Sequence, residues 1–438
     1  MHGPCCRLSL HRRMARVVLM PRLLVRVVTA GALVGALLGL PASSASSADR
    51  AFIRMSLPFD GRFAGVAAIA VHNDTWWAAG SFVDATGQHR PGLWRSYDTQ
   101  TWSRIPTAPI TGYGEISELY SVAVSQNGLV AIGAATGGAH GNPRTVSWVL
   151  RPDNVLQEVA AGFELYNGPR QIAVRAVSAA PNGWVIIGAR NNQNNRLGAT
   201  SWTSTTGEDF VIHDDEPALS SQPGEQIIGL DVTRQGDRLI AVGERGVPRK
   251  GAIDTDGIAW TSNDGATWTR WSPRSLTLGG RNAERAQRVA VFGSRIVIGG
   301  TVTDTTKTRF VAWTTLDGVA WHRSSLPQLG KSADVLSNVT GVAANGHKLF
   351  VAARVGGRLR LVASSNGQRW HSLALPPDLP HGARSRLTLA TSDTNTSAVL
   401  LVGATDPDDG GGLWRLAPVP STLAPAPSTL PPAPSTLP

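Results

Sequence analysis

A seven-bladed, all-β propeller is the fold this sequence predicts, and three observations predict it. A tryptophan followed by a polar turn recurs about every fifty residues. Each period holds four short apolar runs separated by turn residues. The first and last repeats are each incomplete, in a way that makes them halves of one blade.

The clearest copy of the repeat is Ile258-Ala-Trp260-Thr-Ser262-Asn-Asp264-Gly265-Ala-Thr-Trp268-Thr-Arg270. Ile258 to Ser262 alternates large apolar with small or polar residues, which suits a strand with one buried face. Asn263-Asp264-Gly265 is a turn, because short Asx side chains cap nearby amides and glycine accepts a positive φ. Thr267 to Arg270 starts the returning strand. The hairpin recurs around Trp313, Asp317-Gly318 and Trp321, and again around Val362, Asn366-Gly367 and Trp370. Weaker copies join Trp202 to Phe210 and Trp94 to Trp102, the faintest begins at Trp148, and Trp414 opens a copy with no returning strand. The first-arm positions 94, 148, 202, 260, 313, 362 and 414 are 54, 54, 58, 53, 49 and 52 residues apart. A period of this length filled with short strands belongs to a propeller rather than a solenoid.

Two further strands precede each hairpin, for example Ser121–Val124 with Leu129–Gly133, Leu230–Val232 with Leu239–Gly243, and Val289–Phe292 with Ile296–Gly299. Asn127-Gly128, Asn182-Gly183 and Asn345-Gly346 join such pairs, and Asn-Gly is a strong two-residue hairpin signal. Four antiparallel strands per period make one blade. The segment Phe52-Ile-Arg54-Met-Ser56-Leu57-Pro58 repeats the pattern of Trp321-His-Arg323-Ser-Ser325-Leu326-Pro327, an outer strand. A lone outer strand at the start and a missing one after Trp414 predict ring closure, with the first strand completing the last blade.

Residues 1–48 carry six arginines and no acid, then an apolar run from Val27 to Leu40 and a stretch of small residues, which reads as a secretory signal peptide. The run is too short for a comfortable membrane span. Without those arginines the chain has 35 basic against 31 acidic residues, so the high overall charge belongs to the leader and gives no support to a nucleic-acid partner. Cys5 and Cys6 also lie in the leader, leaving no disulfide or thiolate metal site in residues 49–416, the expected propeller. Residues 417–438 repeat Ala-Pro-Ser-Thr-Leu-Pro, and proline at that density predicts a disordered, extended tail. The expected setting is therefore secreted or extracellular, with the tail as a stalk if the protein is wall-associated.

The repeated turn resembles the Asp-box of sialidases and other BNR-repeat propellers, Ser/Thr-x-Asp-x-Gly-x-Thr-Trp. Thr261 to Trp268 fits with Asn263 in the acid's place, and Thr314 to Trp321 fits with Leu316 there. The resemblance covers roughly residues 51–416. It implies that the boxes are structural features of the rim, so that Trp94, Trp148, Trp202, Trp260, Trp313 and Trp414, with Trp102, Trp268, Trp321 and Trp370, are blade-packing core. For sialidases it also implies three arginines on a carboxylate, a tyrosine nucleophile paired with a glutamate, and an aspartate acid/base. Arg104-Ile105-Pro106 looks like the motif that carries the first arginine, but it falls on an outer strand, and the late blades contain no tyrosine.

One constellation near the expected axis carries chemistry. Glu118 and Tyr120, two apart at the start of an inner strand, are expected to share a face. A tyrosine beside a carboxylate is a candidate nucleophile. Arg175 occupies Tyr120's place in the next blade, and Arg288 and Arg386 flank other inner-strand starts; converging guanidinium groups suit a carboxylate ligand. The bland alternative is a polar lining of a water-filled channel. The acidic runs His213–Glu216 and Asp406–Gly410 are weaker candidates, read first as solvated loops. No cofactor or metal motif is present, and the chain is expected to act as a monomer. The reading favoured by the sequence is a non-catalytic binding or scaffold module for an extracellular glycan or protein; the alternative is a glycoside hydrolase or lyase. Binding is expected on the face where the long loops 106–118, 160–171, 213–225 and 272–286 and the connections 189–198 and 244–256 emerge.

Overall fold

The computed structural model describes residues 52–416, apart from 138–142, 250, 272–277, 281, 334–336, 383, 394–397 and 407–409. The leader and the proline-rich tail lie outside the described residues. Seven antiparallel sheets follow one another along the chain, and the inner strand of each packs beside the inner strands of its two neighbours. The inner strands are Phe63–His72, Glu118–Ser125, Gln171–Ala180, Gln226–Gln235, Ala283–Phe292, Asn338–Ala344 and Arg386–Asp393, and they define blades 1 to 7.

Ring closure is as the sequence predicts. Phe52, Ile53 and Arg54 pair antiparallel with Leu416, Arg415 and Trp414, making the fourth strand of blade 7. The Met55 amide donates to the Leu413 carbonyl at 2.8 Å. Arg54 lies over the Trp414 ring at 5.3 Å and reaches Asp378 at 3.1 Å. Leu57 then packs into the interface between blades 7 and 1, so one short segment holds both sides of the seam.

The core is divided among seven apolar clusters of described residues, one between each pair of successive blades. Strand alternation produces this arrangement. Trp76 faces blade 7 and Trp77, its neighbour, faces blade 2. The first-arm tryptophans 94, 148, 202, 260, 313 and 414 are all fully buried. Several donate their indole N–H to the loop that leads into their own blade: Trp94 to Pro58 O, Trp202 to Leu165 O and Trp260 to Ala218 O, each at 2.8 Å. One side chain thus fills the interface and pins the loop above it.

The repeated turn has a register that differs from the expected one. In blade 4 the Ser262 hydroxyl accepts from the Gly265 amide at 2.8 Å, and Asp264 Oδ1 accepts from the amides of Ala266 and Thr267 at 2.9 and 2.8 Å. The acid is therefore Asp264 rather than a residue at Asn263, and in blade 5 it is Asp317, bonded by Thr315, Val319 and Ala320, rather than a residue at Leu316. The turn is one residue shorter between acid and glycine than the family pattern. Gly265 and Gly318 adopt φ of 78° and 77°, which requires glycine's freedom, and the indoles of Trp268 and Trp321 donate to their carbonyls. Ser96-Asp98 and Ser364-Asn366 repeat the same hydrogen bonds in blades 1 and 6, and Ser204-Thr206 repeats them in part in blade 3.

The amides of Thr101 and Gln100 hold the Asp98 carboxyl at about 2, below its ordinary 3.8. The native state therefore favours the ionised form, and that contribution is present above about pH 4 and lost as pH falls towards 2. Asp98→Asn keeps an accepting oxygen, as Asn366 does in blade 6, but loses the charge. Melting temperature measured against pH is expected to fall below that of the parent near neutrality and to meet it near pH 2.

Three connections differ from expectation: the one at 189–198 narrows to a turn, because Ala189, Arg190 and Asn191 pair with Ala199, Gly198 and Leu197. The segment 244–256 is not a loop: the second and third strands of blade 4 continue as a ladder out to Arg249 opposite Ala252. Thr107-Ala108 adds a parallel fifth strand to blade 2 beside Leu156-Gln157. Among the described residues no helix is long and apolar enough to cross a membrane.

Candidate functional site at the axial mouth

The inner strands begin at the face from which the long loops emerge. Six of the seven slip register, at Ala67, Tyr120, Arg175, Leu230, Gln287 and Thr340, with a second slip in blade 3 at Ile172, whereas the blade 7 ladder from Arg386 to Asp393 is regular. A bulged residue leaves the ladder, so its backbone groups need other partners. The preceding blade supplies partners to backbone groups at or beside several of these bulges. The Tyr120 hydroxyl donates to Val174 O at 2.9 Å, and Ser121 Oγ accepts from the Val177 amide at 3.0 Å. Asp231 Oδ2 accepts from the Val289 amide, and Gln287 Oε1 from that of Val339, both at 2.9 Å. Arg288 Nε donates to Thr340 O at 3.0 Å. Polar side chains at the axis thus act as staples between neighbouring blades.

The bulge changes the expected partnership of Glu118 and Tyr120. Glu118 faces Ala134 and Ser121 faces Ile132 on the second strand, so Glu118 shares its face with Ser121 and Tyr120 is the extra residue. The Glu118 carboxylate is half-exposed and lies 3.5 Å from His89 Nδ1 of blade 1. Tyr120 turns towards blade 3, and desolvation pushes its phenol well above the usual range, against the opposing pulls of Thr145 and the Arg175 charge.

The three arginines do come together electrostatically. Arg175 is the bulge residue of blade 3, the position that Tyr120 holds in blade 2. Its side chain is exposed at the surface but partly walled by protein. That desolvation lowers its pKa; Tyr120 opposes the shift, Arg288 adds to it and Glu244 opposes it. Arg386 is lowered by desolvation and by the charges of Arg288, Arg354 and Arg175, with Glu118 opposing. Arg288 is fixed, since its Nε holds Thr340 O and its guanidinium also holds Gln287 O at 2.8 Å. Neither Arg175 nor Arg386 has a hydrogen-bond acceptor among the described residues. Two guanidinium groups without acceptors among the described residues, within electrostatic range of a third that its hydrogen bonds hold, give this mouth a positive field that suits an anion.

Arg354 and Glu244 also belong to this mouth. They sit on second strands, opposite Asn338 and Ile228 at the heads of inner strands, so a search confined to inner strands misses them. The same face carries a polar groove of about 490 Å³ lined by Asn192, Asn194, Arg196, Asp215, Ser220 and Gln222 among others. The described acids of the two acidic runs include several with structural partners, while residues 407–409 of the second lie outside the described residues. Asp214 is held by Arg170 at 3.1 Å and by Arg190 at 3.4 Å, Glu216 accepts from the Trp268 amide at 3.2 Å, and Asp406 Oδ2 accepts from the Ser385 hydroxyl at 2.6 Å. Arg104 stays on its outer strand, over the Phe82 ring at 4.3 Å.

Fold and site together define a seven-bladed β-propeller with an arginine-lined mouth at one end of its axis. In structure the chain is similar to Trypanosoma rangeli sialidase in complex with the inhibitor DANA, at 12% identity and a TM-score of 0.40 over 83% of this chain and 58% of that one. It is similar to the phage phi92 endosialidase at 11% identity and 0.46, over 89% and 72% of the two chains. It is also similar to the β-propeller domain of the Trilobed protease from Pyrococcus furiosus at 9% identity and 0.45, over 81% and 96%. The chain spans a little over half the length of the sialidase it matches. No protein-family model and no curated protein matches the sequence.

Proposed function

We propose that this protein is an exported binding module that takes a carboxylate-bearing ligand, such as an acidic glycan, at the axial mouth. The observation that carries the reading is the pair of acceptor-free guanidinium groups of Arg175 and Arg386, gathered beside the anchored Arg288. Export rests on the arginine-rich leader and its apolar run. Binding is favoured over turnover because the candidate nucleophile is occupied: the Tyr120 hydroxyl is bonded to Val174 O, and Glu118 lies beside His89. The glycoside hydrolase or lyase reading would require Tyr120 to leave blade 3.

Calorimetric titration with a glucuronate-containing oligosaccharide and with its carboxyl-reduced counterpart tests this. The acidic form alone is expected to bind, with affinity falling as salt is raised. Arg175→Ala or Arg386→Ala is expected to weaken binding by roughly 10- to 100-fold, the worth of one charge-assisted hydrogen bond. Equal binding of the reduced sugar, or indifference to both substitutions, sinks the proposal.

A further inference from the structure

Trp321 departs from its equivalents. Trp102, Trp268 and Trp370 are buried at the corresponding turn position, whereas Trp321 stays partly open. The cause is Trp271 of blade 4, which fills the space against Gly318, so that the two indoles meet edge to face at 5.3 Å. Trp321 thereby becomes one wall of a pocket of about 430 Å³ on the flank of blade 5, with Gly279, Gly280, Asn282, Glu284, His322 and Arg323. Glu284 is 1% exposed, and its Oε2 has no hydrogen-bond partner. A buried carboxylate oxygen left without a donor is costly unless something else satisfies it. Burial and the Asp256 charge push this carboxyl up to about 7, against the pull of Arg323. A Cβ on Gly280 would lie 3.0 Å from Glu284 Oε1, so only glycine leaves that side of the carboxyl uncrowded.

We infer that this flank pocket is a second binding site, separate from the axial mouth, for one ring of a neutral saccharide. The charges select the class. The neighbouring acids are already paired, Asp256 with Arg245 at 3.3 Å and Asp254 with Arg249 at 3.2 Å, which among the described residues leaves Glu284 facing Arg323. An anionic ligand would meet the Glu284 carboxylate, and an ammonium would meet the Arg323 guanidinium. Once the Glu284 side chain turns towards the ring, a hydroxyl group can donate to its carboxyl without bringing charge, and its neighbours can use Asn282, His322 and Arg323. The Trp321 indole supplies the flat apolar wall against which a sugar ring packs.

The test is saturation-transfer NMR of the protein with the methyl glycosides of glucose, galactose, mannose and N-acetylglucosamine, supported by tryptophan fluorescence titration. At least one glycoside is expected to bind. Gly280→Ala, which places a methyl group against Glu284, and Trp321→Leu are each expected to weaken it about tenfold or more. Arg175→Ala is expected to leave it unchanged, which separates this pocket from the mouth. Near-ultraviolet circular dichroism checks that each variant remains folded, and Glu284→Gln, nearly isosteric, gives an independent reading should Trp321→Leu unfold. Binding of none of the four glycosides, binding that survives both Gly280→Ala and Glu284→Gln, or binding that is lost with Arg175 overturns the inference.

Discussion

Trp260→Ala is expected to cost about 4–5 kcal/mol of folding stability, read as a lower urea midpoint with an unchanged slope. The indole is fully buried in the cluster between blades 3 and 4, against Val185, Ile187, Leu219, Ile227 and Leu239. Truncation removes the apolar surface and leaves a cavity that two rigid sheets cannot close. It also strips the Ala218 carbonyl of its donor at 2.8 Å, and that carbonyl lies in the loop entering blade 4. Trp260→Phe separates the two contributions. Most of the volume returns but the carbonyl stays unpaired, so a loss of about 1–3 kcal/mol is expected. A loss for the alanine variant no greater than for the phenylalanine one would refute the assignment of this residue as a packing pin.

Breaking the seam is the second large effect. Met55 and Leu413 form a hydrogen-bonded pair, and antiparallel alternation makes Ile53 and Arg415 the next such pair. The Ile53 side chain is 48% exposed, so its contribution lies mainly in the backbone. Ile53→Pro removes the amide donor and is expected to destabilise the protein by about 2–4 kcal/mol, whereas Ile53→Ala is expected to cost less than about 1 kcal/mol. A chain beginning at Met55 is expected to lose more. It gives up the Arg54 contacts to Asp378, Gly411 and the Trp414 ring, and it exposes the strand Gly410–Leu416 as an unpaired edge. Exposed edges recruit other chains, so concentration-dependent association in sedimentation is expected to accompany the loss. Equal stability of the proline and alanine variants would show that the ring closes without this strand.

The sequence by itself determined the architecture. Seven blades, the four antiparallel strands common to them all, the buried first-arm tryptophans and the closing strand follow from local signals: alternation of period two, Asn-Gly and Asp-Gly turns, and a repeat near fifty residues. Those signals are legible because each is set by neighbours in the chain. The register of the repeated turn was missed by one position, since only the hydrogen bonds show that Asp264 and Asp317 cap the turn amides. At the axis, Arg175, Arg288 and Arg386 were legible from their places on inner strands, but the orientation of Tyr120 was not. A bulge that gives no local signal separates it from Glu118 and turns it towards Val174 of the next blade. The opening of the pocket beside Trp321 was decided in the same way, by an indole fifty residues earlier in the chain that takes the space its equivalents use. What tertiary structure alone decided was therefore the contacts between blades, because residues that far apart in sequence meet only once the ring has closed.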